Sequence, residues 1–394
     1  MRIALIHNRY RLPGGEDSVF VEEQALLKIN GHSVLDHTVD NSSIADSIVG
    51  RVKTAVVTVW NHKAYWELRQ LFREGKPDVA HFHNFFPLLS PAAYYAARAE
   101  GVPVIQTLHN YRLTCPSALL FRNGHPCEEC LGKAFPWAGI VHKCYRNSRA
   151  ASAVVASMIA SHRALGTWIN KVDLYLALTD FARKKHIQGG LPPDQVFVKP
   201  NFVYPDPGVG EHQGKYALFV GRLSAEKGLD ILLDSWQLLR GRFTLVIAGR
   251  GPLEPVIREA TARIPGVRWL GPRPAEEIRK VMGNALILIL PSRWYETFGR
   301  VAIEAFAKGT PVIASNIGAT AELVCDGRTG LLFRSRDARD LAAKIEWAFR
   351  HEEQVRLMGR EARVEYETKY TAGINYRKLM EMYELAIDHA RKRG

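Results

Sequence analysis

The chain has 394 residues, of which 47% are hydrophobic and 24% charged, and this composition excludes collagen-like, mucin-like and wholly disordered proteins. Its length suggests about two or three domains. Lys and Arg number 53 against 40 Asp and Glu, and the net charge of +13 favours an anionic partner without specifying its kind.

The first half alternates short apolar runs with helical patterns. The apolar runs, each predicted to form a strand, lie at residues 3–6, 79–82, 104–108, 172–178 and 196–199. After the first of them, an apolar stripe through Val19, Leu26 and Leu27 predicts a helix that stops at Gly31. Strands separated by helices indicate βαβ units and a parallel sheet covered on both faces.

The α/β alternation begins afresh after a Pro- and Gly-rich stretch. Further strands are predicted at residues 216–220, 244–248, 267–270, 286–290 and 312–314. The predicted division is an N-terminal Rossmann-like domain at 1–200, a linker at 201–215, a second Rossmann-like domain at 216–372, and a C-terminal helix at 373–394 that packs back on the first domain. Ligands of open parallel sheets bind at the carboxyl ends of strands, so the two sheets are expected to face each other across a cleft.

Two cations follow the first strand of the second domain. Arg222 and Lys227 flank a short turn between that strand and a helix, and together they are suited to binding an anion. An ordinary turn with surface charges explains the pattern equally well. Arg250 lies in a similar position after the next strand, between two glycines, where the pattern alone is weak.

A pair of carboxylates follows a very apolar strand in the same domain. Glu296 precedes a helix predicted from about Gly299 to Lys308, and Glu304 lies within it on a mainly apolar face. The first N–H groups of such a helix attract phosphate, and a carboxylate accepts hydrogen bonds from sugar hydroxyls. The alternative is a Glu at a helix edge satisfied by water or Arg.

Together these segments resemble the nucleotide-sugar half of family 4 glycosyltransferases, the retaining enzymes of the two-Rossmann GT-B architecture, and the resemblance covers essentially the whole chain. It implies that Arg222 and Lys227 hold the donor diphosphate. It also implies that Glu304 accepts hydrogen bonds from the ribose hydroxyls and that Arg250 borders the base. The implied donor is a UDP- or GDP-sugar.

The resemblance extends to residues on both sides of the reacting sugar. It implies that Glu296 faces the donor-sugar hydroxyls and that the backbone at Phe298 and Gly299 touches the sugar or phosphate. In the first domain, it implies that the backbone at Gly14-Gly15 reaches the diphosphate. His109, which follows the strand at 104–108, matches a position that faces the donor sugar near the reacting carbon, although a satisfied buried histidine is the alternative. His83 is a weaker candidate for an acceptor contact.

Metal requirements are predicted to be structural at most. The sequence contains no Asp-x-Asp pair, the arrangement with which other glycosyltransferases hold a catalytic metal on the diphosphate, so no catalytic metal is expected. Four cysteines lie in the segment 111–149 of the first domain, namely Cys115, Cys127, Cys130 and Cys144. Their spacing is compatible with a structural zinc and equally with unpaired thiols.

The predicted function is transfer of a sugar from a nucleotide sugar to a glycan or lipid-linked acceptor, in cell-surface polysaccharide or glycoconjugate synthesis. A sugar-nucleotide epimerase of the same architecture is the alternative. A nucleic-acid-binding protein is supported only by the net charge, and no nucleic-acid partner is expected. Neither a spanning run of about 20 apolar residues nor a secretory signal is recognised, so the expected location is cytoplasmic. The basic segment 111–149 predicts peripheral contact with an anionic membrane on its inner face.

Overall fold

The computed structural model describes residues 1–11, 14–44 and 47–393. The chain forms two compact α/β units. Unit 1 comprises Met1–Leu120, Cys127–Pro200 and Asn375–Gly394, and unit 2 comprises Phe121–Pro126 and Asn201–Ile374.

The elements of the first 200 residues are strands and helices in alternation. The strands are β1 (Arg2–Arg9), β2 (Ser33–Asp40), β3 (Val79–Asn84), β4 (Val104–Thr107), β5 (Phe121–Arg122), β6 (His125–Pro126), β7 (Leu174–Ala177) and β8 (Val196–Val198). The helices are α1 (Gly15–Ile29), α2 (Ile48–Val59), α3 (His62–Gly75), α4 (Ala92–Ala99), α5 (Trp137–Val141), α6 (Arg149–Ala164), α7 (Thr167–Asn170) and α8 (Asp180–Gln188). Six of the strands form a parallel sheet in the order β2-β1-β3-β4-β7-β8.

The elements of the remaining residues repeat this pattern. The strands are β9 (Tyr216–Val220), β10 (Thr244–Ala248), β11 (Val267–Gly271), β12 (Ile287–Leu290), β13 (Val312–Ser315) and β14 (Gly330–Phe333). The helices are α9 (Leu229–Leu239), α10 (Glu254–Arg263), α11 (Ala275–Asn284), α12 (Arg300–Ala307), α13 (Gly318–Leu323), α14 (Ala338–Arg350), α15 (Glu352–Lys369) and α16 (Ala372–Arg393). The strands form a second parallel sheet in the order β11-β10-β9-β12-β13-β14. The predicted fold class, two parallel-sheet α/β domains, is confirmed.

The C-terminal helix α16 belongs to unit 1 from Asn375 onward. Its Tyr376 hydroxyl lies 2.8 Å from Nε2 of His32, and its Tyr383 hydroxyl lies 2.9 Å from Nδ1 of His81. Tyr383 is fully buried. The helix therefore forms part of the core of unit 1.

Residues 201–215, predicted as a linker, belong with unit 2. The backbone N–H groups of Gly210 and His212 donate to the carbonyls of Lys308 and Gly283, both at 2.9 Å. Because these hydrogen bonds tie the stretch to unit 2, it does not behave as a free linker. The hairpin of β5 and β6, predicted as part of the first domain, also belongs to unit 2, where His125 Nδ1 lies 2.6 Å from Arg336. Among the residues described, no helix is long and apolar enough to cross a membrane.

Candidate functional site

The carboxyl ends of three neighbouring strands, β10, β9 and β12, form one edge of the sheet of unit 2. Two glycines allow the loops that follow them to lie against each other. Gly228 has φ of +72°, and a Cβ atom there would lie 1.9 Å from the carbonyl oxygen of Pro291. Gly249 has φ of +137°, and its Cβ would lie 1.9 Å from the carbonyl oxygen of Gly221. Any other residue at either position would force these loops apart.

Lys227 and Glu296 meet at this edge, although they follow different strands. Their side chains form an ion pair with an Nζ–Oε1 distance of 2.8 Å, and the Ser292 hydroxyl donates to the same carboxylate oxygen. The ammonium also lies 5.6 Å from the ring centroid of Trp294. Burial opposes ionisation of Glu296, but the Lys227 charge and these hydrogen bonds hold its pKa below the ordinary value. The pair is therefore charged and fixed in place.

Two arginines occupy equivalent positions after the adjacent strands β9 and β10. Val220 pairs with Ala248 in the sheet, so Arg222 and Arg250 each follow the same rung by two residues. Both side chains are exposed, while the Leu223 N–H donates to the Arg250 carbonyl at 3.0 Å and joins the two loops. A groove of about 630 Å³ begins beside Arg250, lined by Gly251, Glu254, Pro255, Arg258 and Glu259.

Helix α12 begins beside Glu296. Its N-cap, Gly299, has φ of +98°, and a Cβ there would lie 3.8 Å from Oε2 of Glu296. The first N–H groups of a helix lack intrahelical acceptors, and the dipole makes this end positive. Phe298 is buried and contacts the edge of Tyr370. One turn into the helix, Glu304 forms an ion pair with Arg300 at 2.9 Å and remains partly exposed.

Histidines are grouped at the corresponding edge of unit 1. His83, at the end of β3, has its Nδ1 atom 3.1 Å from Nε2 of His109, which follows β4. The ring centroids are 5.3 Å apart and the ring planes differ by 22°, as expected for a hydrogen bond between the ring edges. The Nε2 atom of His83 lies 3.2 Å from a carboxylate oxygen of Glu23 on α1. Glu23 and His83 are buried, whereas His109 is partly exposed. His109 is therefore the accessible end of a buried chain of polar groups.

Lys199 supplies the charge that balances Glu23. Its ammonium lies 2.9 Å from Oε2 of that carboxylate, and the Nδ1 atom of His81 lies 3.1 Å from Oε1. Burial alone would raise the pKa of Glu23. Lys199 and His81 lower the pKa by more than burial raises it, so it lies well below its ordinary value. Burial and the neighbouring His81 lower the pKa of His83 to about 3, and burial holds the pKa of His109 well below its usual range. Both histidines are therefore neutral near pH 7.

The two glycines predicted to reach the diphosphate lie at the N-terminus of α1, so Gly15 is helical and does not lie in a loop. Gly14 is the N-cap, and its N–H donates to Asp17 at 2.7 Å. Among the described residues outside its chain neighbours, no heavy atom lies within 4 Å of a Cβ placed there. The helix begins at Gly15. The first turn also contains Glu16, whose pKa burial and the Asp17 charge raise to about 8. Protonation of Glu16 near pH 7 limits the negative charge that a diphosphate would meet here.

Among the described residues, the four clustered cysteines form no disulfide. Gly139 brings parts of their segment together, because its Cβ would lie 2.5 Å from Cγ of Pro116 and its carbonyl accepts from the Cys144 N–H at 2.9 Å. Burial and the adjacent Cys115 raise the pKa of the Cys130 thiol to about 12. Within the described ranges, the metal-ligating atoms found within 4.8 Å of one another belong to Glu23, His81 and His83, not to these thiols. Lys199 already balances the negative charge of Glu23, so we interpret Glu23, His81 and His83 as part of an internal ion-paired cluster and not as a metal site.

Sequence reasoning did not predict the roles of Glu23, Lys199 and Ser292. A signal for Glu23 was present, because this carboxylate lies on the apolar face of α1 with Val19 and Leu26, all buried. A buried carboxylate needs a partner. Its partner Lys199 is 176 residues away, so only the tertiary fold brings the two together.

Two family models match consecutive parts of the chain. Glycosyltransferase Family 4 matches residues 53–206, and Glycosyl transferases group 1 matches residues 207–365. An uncharacterized glycosyltransferase of Methanocaldococcus jannaschii is 33% identical over 158 residues, 40% of this chain and 44% of that protein. A D-inositol 3-phosphate glycosyltransferase of Corynebacterium aurimucosum is 34% identical over 196 residues, 45% of this chain and 46% of that protein. The matches thus span less than half the length of these two relatives.

Solved structures match over nearly the whole chain. Anabaena HepE in complex with UDP and glucose has a TM-score of 0.71 at 16% identity, covering 98% of this chain and 99% of that one. Sucrose-phosphate synthase of Thermosynechococcus elongatus has a TM-score of 0.70 at 16% identity, covering 98% of both chains. The GT-B fold is confirmed, and the epimerase alternative is not favoured. The roles of individual residues stay predictions.

Proposed function

Because the chain belongs to the family 4 glycosyltransferases, we propose that it is a retaining enzyme that transfers a sugar from a UDP- or GDP-sugar to a glycan or lipid-linked acceptor. Unit 2 binds the donor, and unit 1 provides the acceptor side. The observation that carries this proposal is the grouping of Arg222, Lys227 and Glu296 at neighbouring strand ends of unit 2. The reaction serves cell-surface polysaccharide or glycoconjugate synthesis.

Arg222 and Lys227 bind the donor diphosphate in this proposal. When the bond between the sugar C1 and the diphosphate oxygen breaks, negative charge accumulates on the leaving group. A guanidinium and an ammonium aimed at that charge stabilise the transition state, as do the first N–H groups of α12 at Gly299. These groups can neutralise the diphosphate without a divalent ion, so a chelator should leave transfer intact.

The other candidate residues of unit 2 contact different parts of the donor. Glu304 accepts hydrogen bonds from the ribose hydroxyls, for which its partial exposure leaves room. Arg250 borders the base beside the groove at the start of α10. Glu296 and the backbone at Phe298 contact the donor sugar or phosphate. Because Lys227 lies 2.8 Å from Glu296, the proposed sugar and diphosphate contacts are adjacent.

Two residues or segments of unit 1 are also assigned donor contacts in this proposal. His109 faces the donor sugar near C1, since it is the partly exposed end of the histidine group. The backbone at Gly14-Gly15 approaches the diphosphate, since glycine has no Cβ to hinder close contact.

An anionic membrane surface is the proposed location of the acceptor. The segment 111–149 exposes Trp137 by 66% and Val141 by 59%, beside basic residues such as Lys143 and Arg146. Exposed apolar side chains next to cations favour an anionic interface. At low salt, anionic liposomes should co-sediment the wild-type protein and remove it from the supernatant. They should remove less of the Trp137→Ser variant. Equal, negligible binding to anionic and neutral liposomes would contradict membrane contact.

A structural zinc bound by Cys115, Cys127, Cys130 and Cys144 is proposed for the same segment. The observation that supports it is the meeting of their chain segments around Gly139. Zinc binding requires the four sulfurs to close to tetrahedral spacing and to lose their protons. Metal analysis should find about one zinc per chain, reduced in Cys130→Ser but not in the exposed-site control Cys325→Ser. A zinc-free wild type would contradict the site.

The experiment that tests the proposed function has two stages. Thermal shift with a panel of UDP-, GDP- and ADP-sugars identifies the donor, because a bound ligand raises the unfolding temperature with concentration. Proton NMR then follows the anomeric configuration of the sugar first released or transferred from an α-configured donor. Retention predicts an α-product, and a β-product would contradict it. Conversion of the donor to its epimer without transfer would support the epimerase instead.

A further inference from the structure

We propose that Glu23 and His83 are positioning residues that hold His109 in one tautomer, with its proton on Nε2 and no proton on Nδ1. The inference concerns the hydrogen-bonded chain Lys199–Glu23–His83–His109, whose successive atoms lie 2.9, 3.2 and 3.1 Å apart. Its consequence for sugar transfer rests on the proposed function, whereas the tautomer itself does not.

Glu23, at the buried end of this hydrogen-bonded series, determines which atoms donate and which accept. Glu23 is fully buried against the Lys199 ammonium and is therefore a carboxylate, which can only accept hydrogen bonds. The Nε2 atom of His83, 3.2 Å from that carboxylate, must then carry its proton. A neutral imidazole has one N–H, so Nδ1 of His83 is an acceptor.

The same rule determines which ring nitrogen of His109 carries the proton. Since Nδ1 of His83 carries no proton, the hydrogen between the two rings must come from Nε2 of His109, 3.1 Å away. The depressed pKa values of both histidines, which burial causes, keep each ring at a single proton near pH 7. The Nδ1 atom of His109 is then an obligatory acceptor, the group needed to bind a donor-sugar hydroxyl.

Surrounding side chains keep the carboxylate in place. His81 approaches Glu23 through Nδ1, and the Thr107 hydroxyl lies 2.7 Å from the other ring nitrogen, so the threonine can donate there. Helix α16 closes the group, with Tyr383 at 2.9 Å from His81 and Asn375 at 3.4 Å from Lys199. The C-terminal helix thus covers the charged pair on which the tautomer depends.

The test is a long-range proton–nitrogen spectrum of the full chain labelled with 15N-histidine, recorded near pH 7 without donor. The His109 signals are assigned by their absence in His109→Gln. We expect one tautomer, protonated at Nε2, in the wild type. In His83→Leu the acceptor is lost and a mixture is expected, whereas the amide oxygen of His83→Gln should restore the Nε2 proton. His186 is buried but is not part of this hydrogen-bonded series. Its signals should therefore be the same in the wild type and in both His83 variants, and they serve as the internal control.

A wild-type His109 protonated at Nδ1, or a mixture of tautomers, would overturn the proposal whatever the enzymatic activity. No variant is needed for that outcome, so poor folding of a variant cannot obscure it. Transfer assays supply the second readout. His83→Leu should lower kcat on the order of 10- to 100-fold through misplacement of His109, with nucleotide affinity unchanged, and His83→Gln should recover much of it. An unchanged kcat in His83→Leu would contradict a positioning role.

Discussion

The ammonium of Lys227 lies 2.8 Å from a carboxylate oxygen of Glu296, with the carboxylate nearly buried and the ammonium partly accessible. The lysine is thus held by an internal partner at the edge where the donor diphosphate is proposed to bind. A cation already fixed in place loses less conformational freedom when a ligand arrives. The arrangement also means that Glu296 depends on Lys227 for its counter-charge.

Lys227→Ala should reduce turnover by about 10²–10³, because a contact to the leaving group is lost. It should also destabilise unit 2, since Glu296 is left buried without its counter-charge. The double variant Lys227→Met with Glu296→Gln should regain stability but not activity. Turnover and thermal unfolding of all three proteins separate the two effects. Near-normal turnover in Lys227→Ala would remove this residue from the diphosphate site.

Glu296→Gln should reduce transfer while sparing affinity for the free nucleoside diphosphate. The proposed contact of this carboxylate is with the sugar, and the amide keeps its shape while losing the charge. Calorimetric affinity for UDP or GDP, compared with kcat for the full donor, provides the measurement. A matching loss in both would place Glu296 at the nucleotide instead.

Glu304→Gln should weaken free nucleoside diphosphate and donor alike, by about tenfold for loss of charge-assisted hydrogen bonds to ribose. Arg300→Gln is the matched control, because it breaks the 2.9 Å ion pair with Glu304 but leaves the carboxylate. If Glu304 served only to pair with Arg300, the two variants would behave the same. Equal affinities in both would therefore refute a ribose contact.

The fold should lose stability in acid through His186. This residue is fully buried, neither ring nitrogen has a hydrogen-bond partner within the described ranges, and burial lowers its pKa to about 3. Between that value and its ordinary pKa, only the unfolded chain takes up the proton. The contribution of His186 is therefore complete above about pH 6.5 and falls by about 1.4 kcal/mol per unit as the pH drops toward 3.

His186→Phe should flatten this pH dependence, since a phenyl ring keeps the stacking on Tyr111, now 5.2 Å between centroids, and cannot be protonated. The exposed His62→Gln serves as the control and should leave the slope unchanged. Urea unfolding at a series of pH values measures the free energy directly. An unaltered slope in His186→Phe would assign the acid sensitivity elsewhere.

The sequence predicted those strands that are continuously apolar, because strands buried on both faces leave no polar interruption. Residues 3–6 are fully buried within β1, and the predicted strand at 216–220 is β9. The edge strand β2 was missed, since its half-exposed residues mix polar and apolar side chains without a run. β14 was also missed, because its short apolar run directly follows a Gly-containing turn.

Individual site residues were easier to predict than their pairing. Arg222, Lys227 and Glu296 each follow a strand, and the carboxyl ends of strands are where ligands bind. The contact between Lys227 and Glu296 joins residues 69 positions apart and depends on β9 lying beside β12. Local pattern carries no information about that order, nor about the pairing of Glu23 with Lys199.

Calorimetric titration of UDP and GDP tests the central claim, a diphosphate site at Arg222 and Lys227, most directly. One nucleotide should bind the wild type saturably, and Arg222→Ala and Lys227→Ala should each weaken it about tenfold or more, by loss of a charge-assisted contact. Arg263→Ala, which removes an exposed cation at the far end of α10, should bind as the wild type does. Equal affinity in all four proteins, or no binding of either nucleotide, would contradict the account.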